Sequence, residues 1–341
     1  MRHRCYASGY STLHYGNSLF FPIISANREN GIGKPVITLW VAIAIVVVNI
    51  VLNEWFMFRL GWGMTGAAWA TTLSLLIGMV LLLKIFLNRK ICKQFQSHRV
   101  WWPHWHAIRY LFMLGVPLGL LMTSDLTGVA LFQIMQVKLG VIEGAATQIV
   151  MMLISTAYMP TLGIAQAGTT LVGQSIGAGN MYWAKRLGNV AIALCILYTF
   201  VVSALLALNG HWLVPLFIAT ADPQAVAVTS LSQTLLWLAI VYNVFNALSI
   251  SSAFCLQGTG DVKRPSLFAI LFSWLGFVPL THILTFGQEE GLVDFLPQLG
   301  WGVLGEWLAA ILFTLTLSSL LFWRWRSGNW QRIGQTFNCS D

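Results

Sequence analysis

Charge is what this sequence has least of. Only 9% of its 341 residues are Asp, Glu, Lys or Arg, against about 25% in an average soluble domain. With 57% hydrophobic residues and a mean hydropathy of +0.72, too few charges are left to face water around a core of this size. Cysteine is sparse as well. Cys5, Cys92, Cys195, Cys255 and Cys339 form no Cys-x-x-Cys pair and no metal-ligand spacing, which removes zinc-ribbon and redox-motif readings. Cys195 and Cys255, inside apolar stretches, read as small buried hydrophobes. His98, His104, His106, His211 and His282 lie mostly in loops, and neither a His-Glu-x-x-His nor a nucleophile elbow occurs, so the common hydrolase sites are excluded. Ser175-Ile-Gly177-Ala-Gly179-Asn180 lacks the Lys-Ser/Thr of a phosphate loop and reads as a tight turn at a helix end. Residues 1–17 hold no apolar run of the signal-peptide kind.

The sequence does contain eight long apolar stretches, roughly 36–58, 64–88, 107–137, 144–175, 189–219, 230–257, 265–287 and 299–323. Each is long enough to cross the ~30 Å hydrocarbon core of a bilayer as a helix. The loops between them alternate. Those with Arg28/Lys34, Lys84 to Arg109, Lys185/Arg186, Lys263/Arg264 and Arg324/Arg326/Arg332 are basic. The opposing ones carry Arg59, Lys138/Glu143, Asp222 and Glu289/Glu290/Asp294. Basic loops stay in the cytoplasm, so eight crossings with both ends inside satisfy the pattern. The net charge of +8 therefore sits where anionic lipid headgroups, rather than nucleic acid, would meet it. Trp101, Trp102, Trp105, Trp301, Trp307, Trp323 and Trp325 cluster near helix ends, as interfacial anchors do. Trp101 to His106 reads as an amphipathic segment on the inner leaflet.

An internal echo sets the organisation. Gly31-Ile-Gly33-Lys34-Pro35 opens the first helix, and Gly258-Thr-Gly260-Asp261-Val-Lys263-Arg264-Pro265 opens the seventh. Gly61-Trp62-Gly63-x-x-Gly66 opens the second, and Gly300-Trp301-Gly302-x-x-Gly305 the eighth. Four helices precede the second copy and only a short segment precedes the first. Equal halves would place three or four further helices, about 120 residues, ahead of the first copy. The expected complete form has twelve helices in two parallel halves of six. The domain reading is 1–35 as a stump and cytoplasmic loop, 36–88 as the last two helices of an N-lobe, and 89–106 as a basic linker. A complete six-helix C-lobe over 107–325 and a cytoplasmic tail over 326–341 follow.

Polar groups at membrane depth are costly and therefore informative. Asp125 lies mid-way along the third helix. It reads either as a cation or proton site facing a cavity or as a hydrogen-bond partner of a neighbouring helix. Asp125, Val129, Phe132 and Gln136 share a face at steps of three and four. Tyr242, Asn246 and Ser249 form a similar stripe on the sixth helix, and Asn49 and Asn53 a pair on the first. Each offers oxygens to a cation or bonds between helices. Gln148, Gln166, Thr169, Thr170 and Gln174 make the fourth helix polar, consistent with a cavity wall. Gly163, Gln166, Gly168 and Gly173 are expected on a surface meeting further helices. Glu54 and Glu306, near the outer helix ends, read as solvated rim residues. Bends are expected at Pro117, Pro160 and Pro279.

Taken together, these runs resemble a known family. Gly163-Ile-Ala-x-Ala167…Leu171-Val-Gly173-Gln174-x-Ile-Gly177-Ala-Gly179-Asn180-x-x-x-Ala184 is similar to the multidrug and toxic compound extrusion (MATE) transporters. So are Gly115-x-Pro117-(x)7-Asp125, Leu139-Gly140 with Gly144-Ala-Ala-x-Gln148, and Leu256-Gln-Gly258-x-Gly-Asp261. The resemblance implies an all-α, polytopic membrane bundle whose eight helices correspond to helices 5–12 of a two-lobe, twelve-helix fold. It implies a cation-coupled antiporter, not an enzyme, that exports organic or xenobiotic compounds, usually cationic, across a bacterial inner membrane with its C-terminus in the cytoplasm. No cofactor is implied beyond transported Na⁺ or H⁺, and no nucleic acid. The coupling acid of the family's seventh helix falls at Asp125. A Tyr and an acid on the tenth fall at Tyr242 and Asn246, and an Asn–acid pair on the fifth at Asn49 and Asn53, so two acids are amides here. The substrate cavity is expected around Asn49, Asn53, Gln136, Gln148, Gln166 and Thr169. The alternatives are a lipid-linked precursor flippase of related fold, which would need a strongly charged cavity, a non-transporting fragment, and a membrane-embedded enzyme.

The topology is tested directly. In a cysteine-free background, single cysteines at Asn88 and Asn180 should be protected from an impermeant thiol reagent in intact cells, and one at Gln288 should be labelled. Labelling at Asn88 from outside would reverse the orientation.

Overall fold

A computed structural model describes residues 35–86, 105–218, 224–287 and 299–331. Among these residues there is no strand, and eight helical spans are long and apolar enough to cross a membrane. The chain divides into two compact units, at Met113/Leu114. This division falls inside a helix, whereas the basic linker expected over 89–106 lies mostly outside the described residues.

The first unit is a helix pair. Helix α1 (Pro35–Asn53) continues through a π-helical turn (Glu54–Arg59) and is followed by α2 (Gly63–Phe86). The two helices pack together, with Val41, Ala70, Ser74 and Leu82 buried between them. A Cβ on Gly78 would overlap the Ile45 side chain, so the missing side chain there lets the helices close.

The second unit contains most of α3 (Trp105–Leu139), then α4 (Val141–Gly177) and α5 (Met181–Leu208). A short helix α6 (Gly210–Leu213) and a 3₁₀ turn (Val214–Phe217) follow. Helix α7 (Ala225–Gly258) comes next, and then a span made of α8 (Lys263–Phe272), a π-helical turn (Ser273–Phe277) and α9 (Val278–Thr285). The last is α10 (Gly302–Arg326), the most enclosed of the eight spans. Helix α7 packs against α4, α5 and α10, and these contacts form the centre of the unit. The apolar stretch read as 189–219 is displaced: the helix starts at Met181, where Asn180 Oδ1 accepts from Trp183 N at 3.1 Å, and stops at Leu208. The Ser175–Asn180 turn is the tight helix end expected. Gly179 takes φ +76°, and the amides of Gly179 and Asn180 return to the carbonyls of Ile176 and Ser175. Helices α3 and α4 run through Pro117 and Pro160, whereas Pro279 follows the π turn. Cys195 and Cys255 are fully buried.

The glycine echo has the same structural meaning in both copies. Gly61 and Gly63 have φ of +68° and +55°, and Gly300 and Gly302 have +70° and +58°, a region costly for any residue with a Cβ. A Cβ on Gly66 would lie 2.8 Å from the Phe56 carbonyl, and one on Gly305 would overlap the Leu284 carbonyl oxygen. Each third glycine thus admits the backbone of the preceding helix. The partner Gly31–Pro35 motif lies outside the described residues except for Pro35.

Small residues also close the centre of the second unit. A Cβ on Gly168 would press on Ala191 of α5 at 2.8 Å, and one on Gly258 would meet the Thr169 backbone at 2.5 Å. Gly173 faces Gly258 O. Gly168 and Gly173, expected to await further helices, are engaged inside the unit; Gly163 has open space around it.

At the end of α10 that carries Arg324 the unit is locked by an ion pair. Arg324 Nε donates to Asp261 Oδ2 at 2.8 Å and Nη2 lies 2.7 Å from the same oxygen in ion-pair contact, with both side chains buried. Trp325 Nε1 donates to Asn189 Oδ1 at 2.8 Å, and Trp330 stacks on Trp325 at 4.9 Å. Breaking a buried pair strands the remaining charge, so Asp261→Ala should lower stability by ~3–5 kcal/mol, read as earlier unfolding in detergent. The Asp261→Ala/Arg324→Met double variant should recover most of that loss; no recovery would show that the pair is not the cause.

Candidate functional site

The polar chemistry of the second unit starts on α3. Asp125 lies on an open part of that helix, with no hydrogen bond or ion pair among the described residues. Its carboxylate is close enough to the phenols of Tyr158 (α4) and Tyr242 (α7) to act on both electrostatically, and those two phenols act on each other. One carboxylate and two phenols, on three helices, are thus within electrostatic range of one another, with no hydrogen bond between them among the described residues. Tyr242 also meets the Trp307 ring of α10 edge-on at 6.0 Å.

Beside Tyr158 is a cavity of ≈ 10 Å³ lined by Tyr158, Thr161, Thr199, Asn243, Asn246, Ala247 and Ile250. That is about the volume one water requires. Around it Thr161 and Thr199 share a hydrogen bond of 2.7 Å, and Asn243 Nδ2 donates to Ser203 Oγ at 2.9 Å. Asn246, half-buried, borders this cavity one turn beyond Tyr242.

The other expected residues fall in different settings. In the first unit, Asn53 Nδ2 donates to Asn49 Oδ1 at 2.9 Å, and Asn49 Nδ2 reaches Thr71 Oγ1 of α2 at 3.5 Å, so the pair links the two helices. Asn53 Oδ1 has no partner. Gln148 and Gln166 are exposed on α4. Thr169 Oγ1 donates to Phe254 O of α7 at 2.8 Å, which ties the helices together. Gln136 departs from the expected stripe: Asp125 and Val129 are open, but Phe132 is buried and Gln136 only 1% exposed. Glu306, read as a solvated rim residue, is fully buried. The close approach of Gly305 to the Leu284 backbone draws this turn of α10 inward.

Tyr158 and Asn243 are the residues that sequence reasoning missed. The available signal was a tyrosine and an asparagine within otherwise apolar stretches, Tyr158 two positions before Pro160 and Asn243 beside Tyr242.

The sequence model of the MatE family matches residues 111–281, half of the chain. The chain belongs to the MatE family. It is 27% identical over 312 residues to a probable multidrug resistance protein NorM of Rhizobium meliloti, covering 90% of this chain and 64% of that protein. It is 32% identical over 216 residues to a probable NorM of Pseudomonas putida, covering 62% and 45%. The chain thus spans less than two thirds of the length of these relatives. Among solved structures it matches a MATE protein in complex with MaL6, with a TM-score of 0.79 and 19% identity. It also matches the outward-facing form of a multidrug resistance MATE family transporter, with a TM-score of 0.78 and 19% identity. Both matches cover 92% of this chain and 67% of the other, the share that eight helices of twelve would occupy. The MatE chain is accordingly a multi-pass membrane protein, helical across the described spans, of a transporter family rather than an enzyme.

The buried bond to Ser203 makes Asn243 a stability determinant of the site. Asn243→Leu leaves that hydroxyl unpaired and should cost ~1–3 kcal/mol, measured as a lower unfolding temperature in detergent; an unchanged temperature would remove Asn243 from the supporting frame.

Proposed function

We propose that this chain supplies eight helices of a secondary antiporter that exports organic, drug-like cations across a bacterial inner membrane against entry of Na⁺ or H⁺. The observation that carries the reading is the convergence of Asp125, Tyr158 and Tyr242 from three helices on an open part of the unit. A carboxylate with two phenols in electrostatic range can be neutralised by a proton, a sodium ion or an organic cation, but not by all of them at once. Exclusive occupancy is the differential binding that coupling requires, because a ligand shifts a conformational equilibrium only by its difference in affinity for the two states. The NorM relatives, described as multidrug resistance proteins, support the substrate class. The alternation of basic loops supports cytoplasmic ends. Amides at Asn246 and Asn53, where the family resemblance puts acids, leave Asp125 as the main coupling charge. The flippase alternative is not favoured, because the site's only charged group is an acid.

In energised membrane vesicles carrying the protein, Asp125→Asn should abolish the gradient-driven part of efflux of a fluorescent lipophilic cation while membrane insertion stays at the wild-type level. Undiminished gradient-driven export by that variant would exclude Asp125 as the coupling group.

A further inference from the structure

The second acid of the unit's interior is placed differently from the first. Glu306, on the second turn of α10, is 0% exposed, and neither carboxylate oxygen has a hydrogen-bond donor. Its neighbour is the Gln136 carboxamide of α3, 1% exposed, near enough to interact but closing no proper hydrogen bond. Thr281 and Thr285, on the adjoining α9, are also buried with unpartnered hydroxyls. An unpaired buried polar group is costly and a charged one more so, and native interiors rarely retain several together without a reason.

We infer that Glu306 and Gln136 form a second binding site for a monovalent cation, sodium or a proton in its place, separate from Asp125. One carboxylate neutralises a single positive charge, and the carboxamide oxygen of Gln136 supplies a second, uncharged ligand. A divalent ion would call for more acidic ligands, and no group of three or more His, Cys, Asp or Glu side chains occurs among the described residues. Titratable groups on the surrounding elements include Asp125 and Lys138 of α3, the latter over the Phe286 ring at 5.5 Å, Glu143 and Tyr158 of α4, Tyr242 of α7 and His282 of α9. Asp125 and Gln136 are eleven residues apart on α3, about 16 Å along the axis, so one ion cannot serve both. The sites are nevertheless joined: Trp307, next to Glu306, meets Tyr242, and Tyr242 is within electrostatic range of Asp125. Occupancy at Glu306 can therefore bias the packing around Asp125 through one aromatic contact.

The inference does not depend on Asp125 being the coupling group, and its test reads binding rather than transport. The full chain in lipid is exchanged from choline chloride into sodium chloride at constant pH and ionic strength, and the infrared difference spectrum is recorded. Sodium should remove a protonated-carboxyl band in the wild type and in Asp125→Asn. The loss that remains in Asp125→Asn should be absent in Asp125→Asn/Glu306→Gln, and in Glu306→Asp, which keeps the acid, the band should shift in frequency. A sodium-dependent loss that persists undiminished in Asp125→Asn/Glu306→Gln would overturn the assignment, as would no such loss in the wild type and Asp125→Asn. So would an unshifted band in Glu306→Asp. Failure of the transport reading would be distinct: the Glu306 signal would be intact while Asp125→Asn still exports.

Discussion

A bilayer offers no water to a buried polar group, and this constraint governs where every polar atom of the chain can stand. The backbone meets it by being helical. The hydroxyls meet it locally: Thr72, Thr123, Thr316 and Ser319 each donate to the carbonyl four residues earlier, so they ask nothing of the surroundings. The longer polar side chains turn to neighbouring helices. Thr161 with Thr199, Asn243 with Ser203 and Thr169 with Phe254 O each tie one helix of the second unit to another. Small residues make these contacts geometrically accessible, because Gly168, Gly173 and Gly258 bring α4 within reach of α5 and α7.

Against that background the two acids stand out. The ion pair of Asp261 with Arg324 satisfies its charges internally and serves the fold. Asp125 and Glu306 have no such counter-charge. One is open and within electrostatic range of two phenols; the other is sealed beside an amide. Among the described residues these two carboxylates stand within membrane spans without an ion pair, as the binding of a cation would require. A cation matches each carboxylate in charge, which is what the proposed antiport requires of them.

The spans were legible because the bilayer imposes a length and an apolar composition that few other contexts demand. The glycine echo was legible for a related reason: positive φ at Gly61, Gly63, Gly300 and Gly302 and close approach at Gly66 and Gly305 leave almost no other residue acceptable. Site membership was harder to read. Asp125, Tyr242 and Asn246 could be located by their rarity at membrane depth. Tyr158 could not, because its role depends on which face of α4 meets α3 and α7, and a periodic pattern in an apolar helix does not encode that face. Glu306 was misjudged for the same reason. Distance from the helix end suggested water, whereas packing of Gly305 on Leu284 decides that it is buried. Gln136 keeps its helical register with Asp125, yet α3 passes from an open to a buried environment between them.

Mutual exclusion at one carboxylate makes a thermodynamic demand that equilibrium binding can check. Linkage requires that whatever lowers the affinity for one occupant through another does so reciprocally. The measurement is fluorescence-detected binding of a lipophilic organic cation to the purified protein as sodium or proton concentration is raised at constant ionic strength. Affinity for the dye should fall progressively with either ion in the wild type and become insensitive to both in Asp125→Asn. Dye affinity that ignores sodium and protons in the wild type, or that responds equally in the variant, would contradict competition at Asp125.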